Sequence, residues 1–129
     1  MADYQQVRIG SAPLAGLDRL SNHLTYHSRR QQLIAANLAN LDTPGYRSRD
    51  LVFHEEYSAQ VQGHRIVRQM DHREEMTISD DETPDQDGNS VSLEQQVARI
   101  TANSLRYETI NQILSRKFAM LRYAANDGR

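Results

Sequence analysis

His23 and His27 stand four residues apart, a spacing that places two imidazoles on one helix face and lets them share a metal ion. Hydrolytic metal sites of that spacing also need a glutamate between the pair, and here Leu24, Thr25 and Tyr26 fill the gap. His27 falls on an apolar stripe, where a polar residue that fixes helix register is the better reading. A second candidate starts at Thr83. Asp85, Asp87, Gly88 and Glu94 then match positions three, five, six and twelve of a calcium-binding EF-hand loop. Thr83 replaces the first carboxylate, Pro84 stiffens the entry, and Ser90 takes a position that is normally apolar. Those departures favour an Asp-Gly turn leading into a capped helix over a calcium loop. His54, Glu55 and Glu56 cluster without a nucleophile or a phosphate-binding loop and read as solvated surface. The chain has no cysteine, which removes thiol catalysis, thiolate metal ligation and disulfides. No catalytic, cofactor or metal site is expected.

The most constrained stretch carries amides instead of acids and bases. Asn37, Leu38, Ala39 and Asn40 close a helical segment, and Thr43, Pro44, Gly45 and Tyr46 follow as a turn. Pro44 disfavours the helical region for Thr43 and presets the second turn position, while Gly45 can take the positive φ that a type II turn requires at the third. The helix should therefore stop near Leu41 or Asp42. Ala35, Ala36 and Ala39 keep its end slim enough for close approach of another helix. Asn37 and Asn40 lie three apart on one face, and each both donates and accepts. They are placed to tie the helix end to the returning chain or to a neighbouring molecule.

Two long helices must position these groups. The first is expected over residues 14–41, with Ser11 as cap and Pro13 in the first turn. Its seam reads Leu17, Leu20, Leu24, His27, Gln31, Ile34, Leu38 and Leu41, in steps of three and four. The second is expected over residues 92–126, with Ser92 and Gln95 as a capping box. Its seam reads Leu93, Val97, Ile100, Ser104, Tyr107, Asn111, Leu114, Phe118, Leu121 and Ala125. Gln31, Ser104 and Asn111 join His27 as polar seam residues that specify partners. Arg116, Lys117 and Arg122 suit the negative end of the helix dipole.

At 1.5 Å per residue the helices span roughly 42 and 50 Å, whereas a compact globule of this size is about 36 Å across. An elongated antiparallel coiled-coil pair follows, in a mainly α, single-domain chain covering residues 1–129. Leu105, Ile110 and Ile113 fall off the second seam and would stay exposed in a lone pair, which argues for an assembly subunit. The connection, residues 42–91, is polar and extended. Leu51, Val52 and Phe53 form a short strand or packing cluster, and a small β-hairpin can pair residues 64–70 with 75–79 across Asp71, His72 and Arg73. Residues 79–89 are acidic and without an apolar side chain, as in a mobile loop.

Composition limits the partners. The 129 residues are 38% hydrophobic with a mean hydropathy of -0.74, no tryptophan and a net charge of -2. Such a balance supplies no basic stripe for nucleic acid. The first ten residues have neither a basic nor an apolar signal region, and no run approaches the 18 apolar residues of a membrane span. A soluble, cytosolic protein is expected, unless it leaves by a route that reads no cleaved signal.

The string IAANLANLDTPGYRSRD (residues 34–50) resembles the amino-terminal signature of the bacterial flagellar basal-body rod and hook protein family. Asn37, Leu38, Ala39 and Asn40, then Thr43, Pro44, Gly45 and Tyr46, carry the likeness. Residues 87–124 resemble the carboxy-terminal part of a proximal rod member, with Asn103, Ser104, Leu105, Arg106 and Tyr107 as the recurring core. That tail, Asp42 and the Arg49-Asp50 pair favour one of the two paralogous proximal rod proteins over the other. The resemblance implies a structural, non-enzymatic subunit whose terminal helices pack as a coiled coil around an axial channel. It implies partners in other rod proteins and copies of itself, the ring–rod junction protein and the flagellar type III export apparatus. It places the chain in the periplasmic rod of the basal body, exported without a cleaved signal peptide. Asn37 to Asn40 and Thr43 to Tyr46 would be the assembly motif, and Leu105, Tyr107, Ile110, Ile113 and Phe118 would pack against neighbouring subunits. A calcium-binding or generic coiled-coil adaptor would fit the seams but gives the asparagine pair and the turn no purpose.

Overall fold

A computed structural model describes residues 12–62, 65–78, 88 and 91–126, with side chains placed for 16–56, 58, 59, 71–78, 88 and 91–126. Helix α1 spans Ala12–Ala39, so Pro13 does lie in a first turn where its missing N–H is harmless. The expected cap, Ser11, lies outside the described residues. The helix tightens as it ends: Asn40 N donates to Asn37 O at 3.1 Å and Leu41 N to Leu38 O at 3.3 Å. Thr43 N then bonds Asn40 O, and Tyr46 N closes the next turn on Thr43 O at 3.2 Å with Gly45 at a φ of 72°. This is the type II geometry expected from Pro44-Gly45.

The chain returns as a long hairpin, β1 (Arg49–Gln62) against β2 (Arg65–Ile78), antiparallel from Arg49↔Ile78 to Gln62↔Arg65. Leu51, Val52 and Phe53 lie in a strand, as expected. The expected pairing of residues 64–70 with 75–79 is wrong. Asp71, His72 and Arg73 sit inside β2, opposite Glu56, Glu55 and His54. The paired ends are Gln62 and Arg65. Among the described side chains, those at the base of the hairpin meet α1. There the inner face presents Leu51, Phe53 and Glu55 with their partners Met76, Glu74 and His72.

Helix α2 spans Leu93–Asn126. Ser92 caps it, its hydroxyl accepting from Gln95 N at 3.4 Å and its carbonyl from Gln96 N at 3.0 Å. The helices run antiparallel, since Asn37 meets Gln96, His27 meets Asn103 and Gly16 lies against Lys117. On α1 the inward residues follow the expected seam, with His27 and Ile34 buried. On α2 the seam is rotated. Gln96 and Asn103 are fully buried, with Ile100, Ile110, Leu114, Lys117 and Leu121 half-buried, while the expected Leu93, Val97 and Phe118 are 52%, 48% and 55% exposed. The reason is polar pairing. Asn37 and His27 face α2, and an apolar partner would leave each with unmet hydrogen bonds at about 1–3 kcal/mol apiece. Gln96 and Asn103, seven apart, satisfy both.

Buried apolar side chains among the described residues are Leu17, Tyr26, Ile34 and Leu51, fewer than the buried polar His27, Asn37, Ser48, Gln96 and Asn103. The described helices include none long and apolar enough to cross a membrane.

Candidate functional site: a buried amide network at the helix end

Asn37 occupies the point where α1, the returning chain and α2 meet, and its side chain is fully buried. Its Nδ2 donates to Arg49 O at 2.7 Å, Gln96 Oε1 at 3.2 Å and Ser48 Oγ at 3.3 Å. Its Oδ1 accepts from Arg49 N at 3.0 Å and Tyr46 Oη at 3.2 Å. The amide thus pairs with both main-chain groups of Arg49 much as a neighbouring strand would. Gln96 Nε2 donates to Ser48 Oγ at 3.2 Å, closing a triangle of buried polar groups. Asn40 acts locally. Its Nδ2 donates to Ala36 O at 2.8 Å and its Oδ1 accepts from Thr43 Oγ1 at 3.2 Å, so it caps the helix and steadies the turn.

A second node lies seven residues further along α2. Asn103 Nδ2 donates to His27 O and Gln31 Oε1, both at 2.8 Å, and its Oδ1 faces His27 Nδ1 at 2.7 Å. With both Asn103 donors used, His27 Nδ1 must carry the imidazole proton. Gln31 Nε2 passes the chain on to Ser104 Oγ at 3.1 Å. Burial, reinforced by the charges of Arg106 and Arg30 and by His23 and opposed by the Asn103 bond, holds the His27 pKa below its ordinary value.

The hairpin is fixed to a different face of α1. Tyr26 Oη donates to Leu51 O at 2.8 Å, and burial raises the Tyr26 pKa. Arg30 grips Asp50 with two bonds of 2.7 Å, and Asp50 also accepts from Leu51 N at 2.8 Å. Burial pushes the Asp50 carboxyl up, but Arg30 and the Leu51 amide outweigh it and hold the pKa below the ordinary carboxylate value. Further out, Glu55 receives Arg19 at 2.9 and 3.2 Å and meets His23 Nε2 at 2.7 Å, and the Arg19 bonds lead in lowering its pKa. Arg29 pairs with Glu74 at 2.7 Å. His23 also lies against Phe53, with ring centroids 4.6 Å apart.

His23 and His27 therefore turn to different elements, one to the hairpin and one to α2. His54 pairs with Glu75 at 3.3 Å on the outer hairpin face. Thr83, Asp85 and Asp87 lie outside the described residues; Gly88 has a φ of 72° and Glu94 lies in the first turn of α2. Of the packing candidates, Leu105 is 66% and Ile113 41% exposed, and Phe118 is exposed too. Tyr107 borders a cleft between the helices. Ile110 is half-buried on the α1 side, contrary to the expectation that it stays open.

Residue reading missed Tyr26, Arg30, Ser48 and Gln96 as site members. The signals in the sequence are the Arg49-Asp50 pair and Asn103, which belong to the stretches that carry the family resemblance. What the network can do is fix the angles between α1, the hairpin and α2.

The family model described as flagella basal body rod protein matches residues 23–47, from His23 to just past the turn. The chain is 31% identical over 117 residues to the flagellar basal body rod protein FlgB of Cereibacter sphaeroides, covering 81% of this chain and 91% of that one. FlgB of Aquifex aeolicus is 30% identical over 98 residues, covering 73% and 79%. FlgB of Salmonella typhimurium is 31% identical over 116 residues, covering 71% and 84%. Identities of 30% and 31% over more than two thirds of this chain show that it belongs to the FlgB family of flagellar basal body rod proteins.

Proposed function

We propose that the chain is a non-enzymatic structural subunit of the proximal rod, joining the membrane ring and export gate to the distal rod. The observation that carries this reading is the likeness to FlgB over most of the chain's length, together with a fold in which, among the described residues, five of the nine buried side chains are polar and eleven large apolar side chains are exposed. Leu105, Ile113 and Phe118 are exposed at a density that a free monomer gains nothing from and a stacked neighbour would cover. Asn37 to Asn40 and Thr43 to Tyr46 serve assembly indirectly, by aiming the hairpin and α2, and Tyr107 and Ile110 support the packing face from its inner edge. The partners are other rod proteins, further copies of this chain and the ring–rod junction protein. Delivery to the periplasmic rod runs through the flagellar type III apparatus without a cleaved signal peptide, and the whole chain acts as one domain.

The test is replacement in the native host. Deleting the gene should abolish motility and leave basal bodies without a rod, and an epitope-tagged copy should restore both and co-purify with the basal body. A tagged chain that restores motility yet is absent from purified basal bodies would overturn the reading.

A further inference from the structure

Helix α2 carries two stripes that α1 and the hairpin leave open. One runs through Leu93, Val97, Ser104, Tyr107 and Phe118 and borders the seam with α1. The other runs through Ala98, Ala102, Leu105, Thr109 and Ile113, all exposed and uncharged, roughly 150° further round at 100° per residue, and Arg116 ends this uncharged stretch. Beside the first stripe lies a cleft of about 400 Å³. Its wall on α1 is Ser28, Gln31, Gln32 and Ala35, spaced i, i+3, i+4 and i+7. Those are the four positions that form a hole for one knob of another helix in coiled-coil packing. Asn103, Ser104 and Tyr107 form the wall on α2, and no lining side chain is charged.

Building on the rod-subunit reading, we propose that this cleft seats the outer stripe of α2 from a second copy of the chain, with Leu105 as the central knob. A hole of that spacing calls for a helix bearing an apolar knob, and the outer stripe supplies one. Leu105 is 66% exposed and stands between Ala102 and Thr109, whose short side chains leave it protruding. The cleft offers no cation to a phosphate and no anion to a basic segment, so the uncharged stretch around Leu105, short of Arg116, is the occupant that desolvates no lone charge. The cleft is continuous with the α1–α2 interface, since Gln31, Asn103 and Ser104 line both. Cleft and stripe do not overlap on the chain. The contact is therefore heterologous, and it propagates head to tail rather than closing a dimer.

The native chain has no cysteine, so engineered ones report single contacts. Two variants, Gln32→Cys and Leu105→Cys, are expressed together in place of the wild-type gene, and basal bodies are isolated and oxidised. Both positions are exposed, and circular dichroism of each purified variant checks that it folds. The expected result is a disulfide dimer only when both variants are present. A dimer from Leu105→Cys alone, or no mixed dimer in basal bodies that contain both chains, overturns the seat while leaving the rod reading intact. Absence of the chains from basal bodies would instead overturn the rod reading. Leu105→Glu should cut incorporation into basal bodies roughly tenfold to a hundredfold, as loss of one buried leucine implies. Unchanged incorporation would also overturn the seat.

Discussion

Replacing Asn37 by Asp keeps the shape of the side chain and removes its two N–H donors. In the wild-type chain those donors serve Arg49 O, Gln96 Oε1 and Ser48 Oγ at 2.7, 3.2 and 3.3 Å. A carboxylate oxygen in their place would face the carbonyl oxygens of Arg49 and Gln96 in a site closed to water. Each acceptor left unmet costs about 1–3 kcal/mol, so the change should remove roughly 3–5 kcal/mol. Domains of this size hold about 5–15 kcal/mol in total, so the variant should lose a large share of its stability and unfold at a markedly lower denaturant concentration. The buried carboxyl relieves the clash by taking a proton, so its folded pKa is raised and the variant should recover stability as pH falls. Denaturant titration followed by circular dichroism reads both effects. Asn40→Asp is the internal control. That amide donates only to Ala36 O and lies at the surface edge, so the loss should stay below about 1 kcal/mol. Equal losses at the two positions, or an Asn37→Asp loss under about 1 kcal/mol, would refute the assignment of Asn37 as the junction of the fold.

Gly45→Ala meets no atom within 4 Å but forces a side chain to a φ of 72°, so it should destabilise by about 1–2 kcal/mol, with Gly45→Asn milder in the same melting assay. Arg30→Ala should cost roughly 3 kcal/mol by stranding Asp50. Because the folded Asp50 pKa lies below the ordinary 3.8, its contribution is present above that value and is lost as pH falls through the lower folded pKa; acid titration of the variant should lack this loss. His27 has the opposite chemistry with the same direction: its folded pKa lies below the ordinary 6.5, so the unfolded chain binds the proton first and stability falls as pH drops below about 6.5. The His27→Gln variant should flatten that slope, and NMR titration should show the wild-type imidazole protonating later than an exposed histidine.

Local chemistry was legible in the sequence wherever it is self-contained. Pro44 and Gly45 dictate the turn, Ser92 the start of α2, and the apolar steps of α1 its inward face. What was hidden depends on residues far apart in the chain. Nothing near Gln96 or Asn103 says that Asn37 and His27 will face them, so the α2 seam was read from its apolar residues and came out rotated. The same limit applies to the hairpin. Its α1-facing groups are Glu55, Glu74 and Asp50 as well as Leu51 and Phe53, and charges on an inner face read as solvated surface until Arg19, Arg29 and Arg30 are seen opposite. In that sense His54, Glu55 and Glu56 were one-third wrong: Glu55 belongs to the docked face.

The rotation of α2 has a consequence for how such a subunit works. Had the apolar heptad of α2 faced α1, the pair would have been a self-sufficient coiled coil with little left to offer a neighbour. Gln96 and Asn103 take the inward positions instead, matched to Asn37, His27 and Gln31. Satisfied amide pairs add little net stability, about 1 kcal/mol for each bond, but misalignment strands several at once. They therefore set register strongly while leaving Leu93, Val97 and Phe118 on one side and Leu105, Met120 and Tyr123 on the other. At about 1.5–3 kcal/mol for each large side chain fully buried, covering what remains exposed of those residues would add several kcal/mol to what the monomer's own apolar side chains supply. Folding then specifies the shape, and a neighbour covering these stripes would add to the stability. A chain built this way is expected to unfold easily alone and to be locked in place by its neighbours, which hydrogen exchange on dilute monomer and on isolated rods would separate directly.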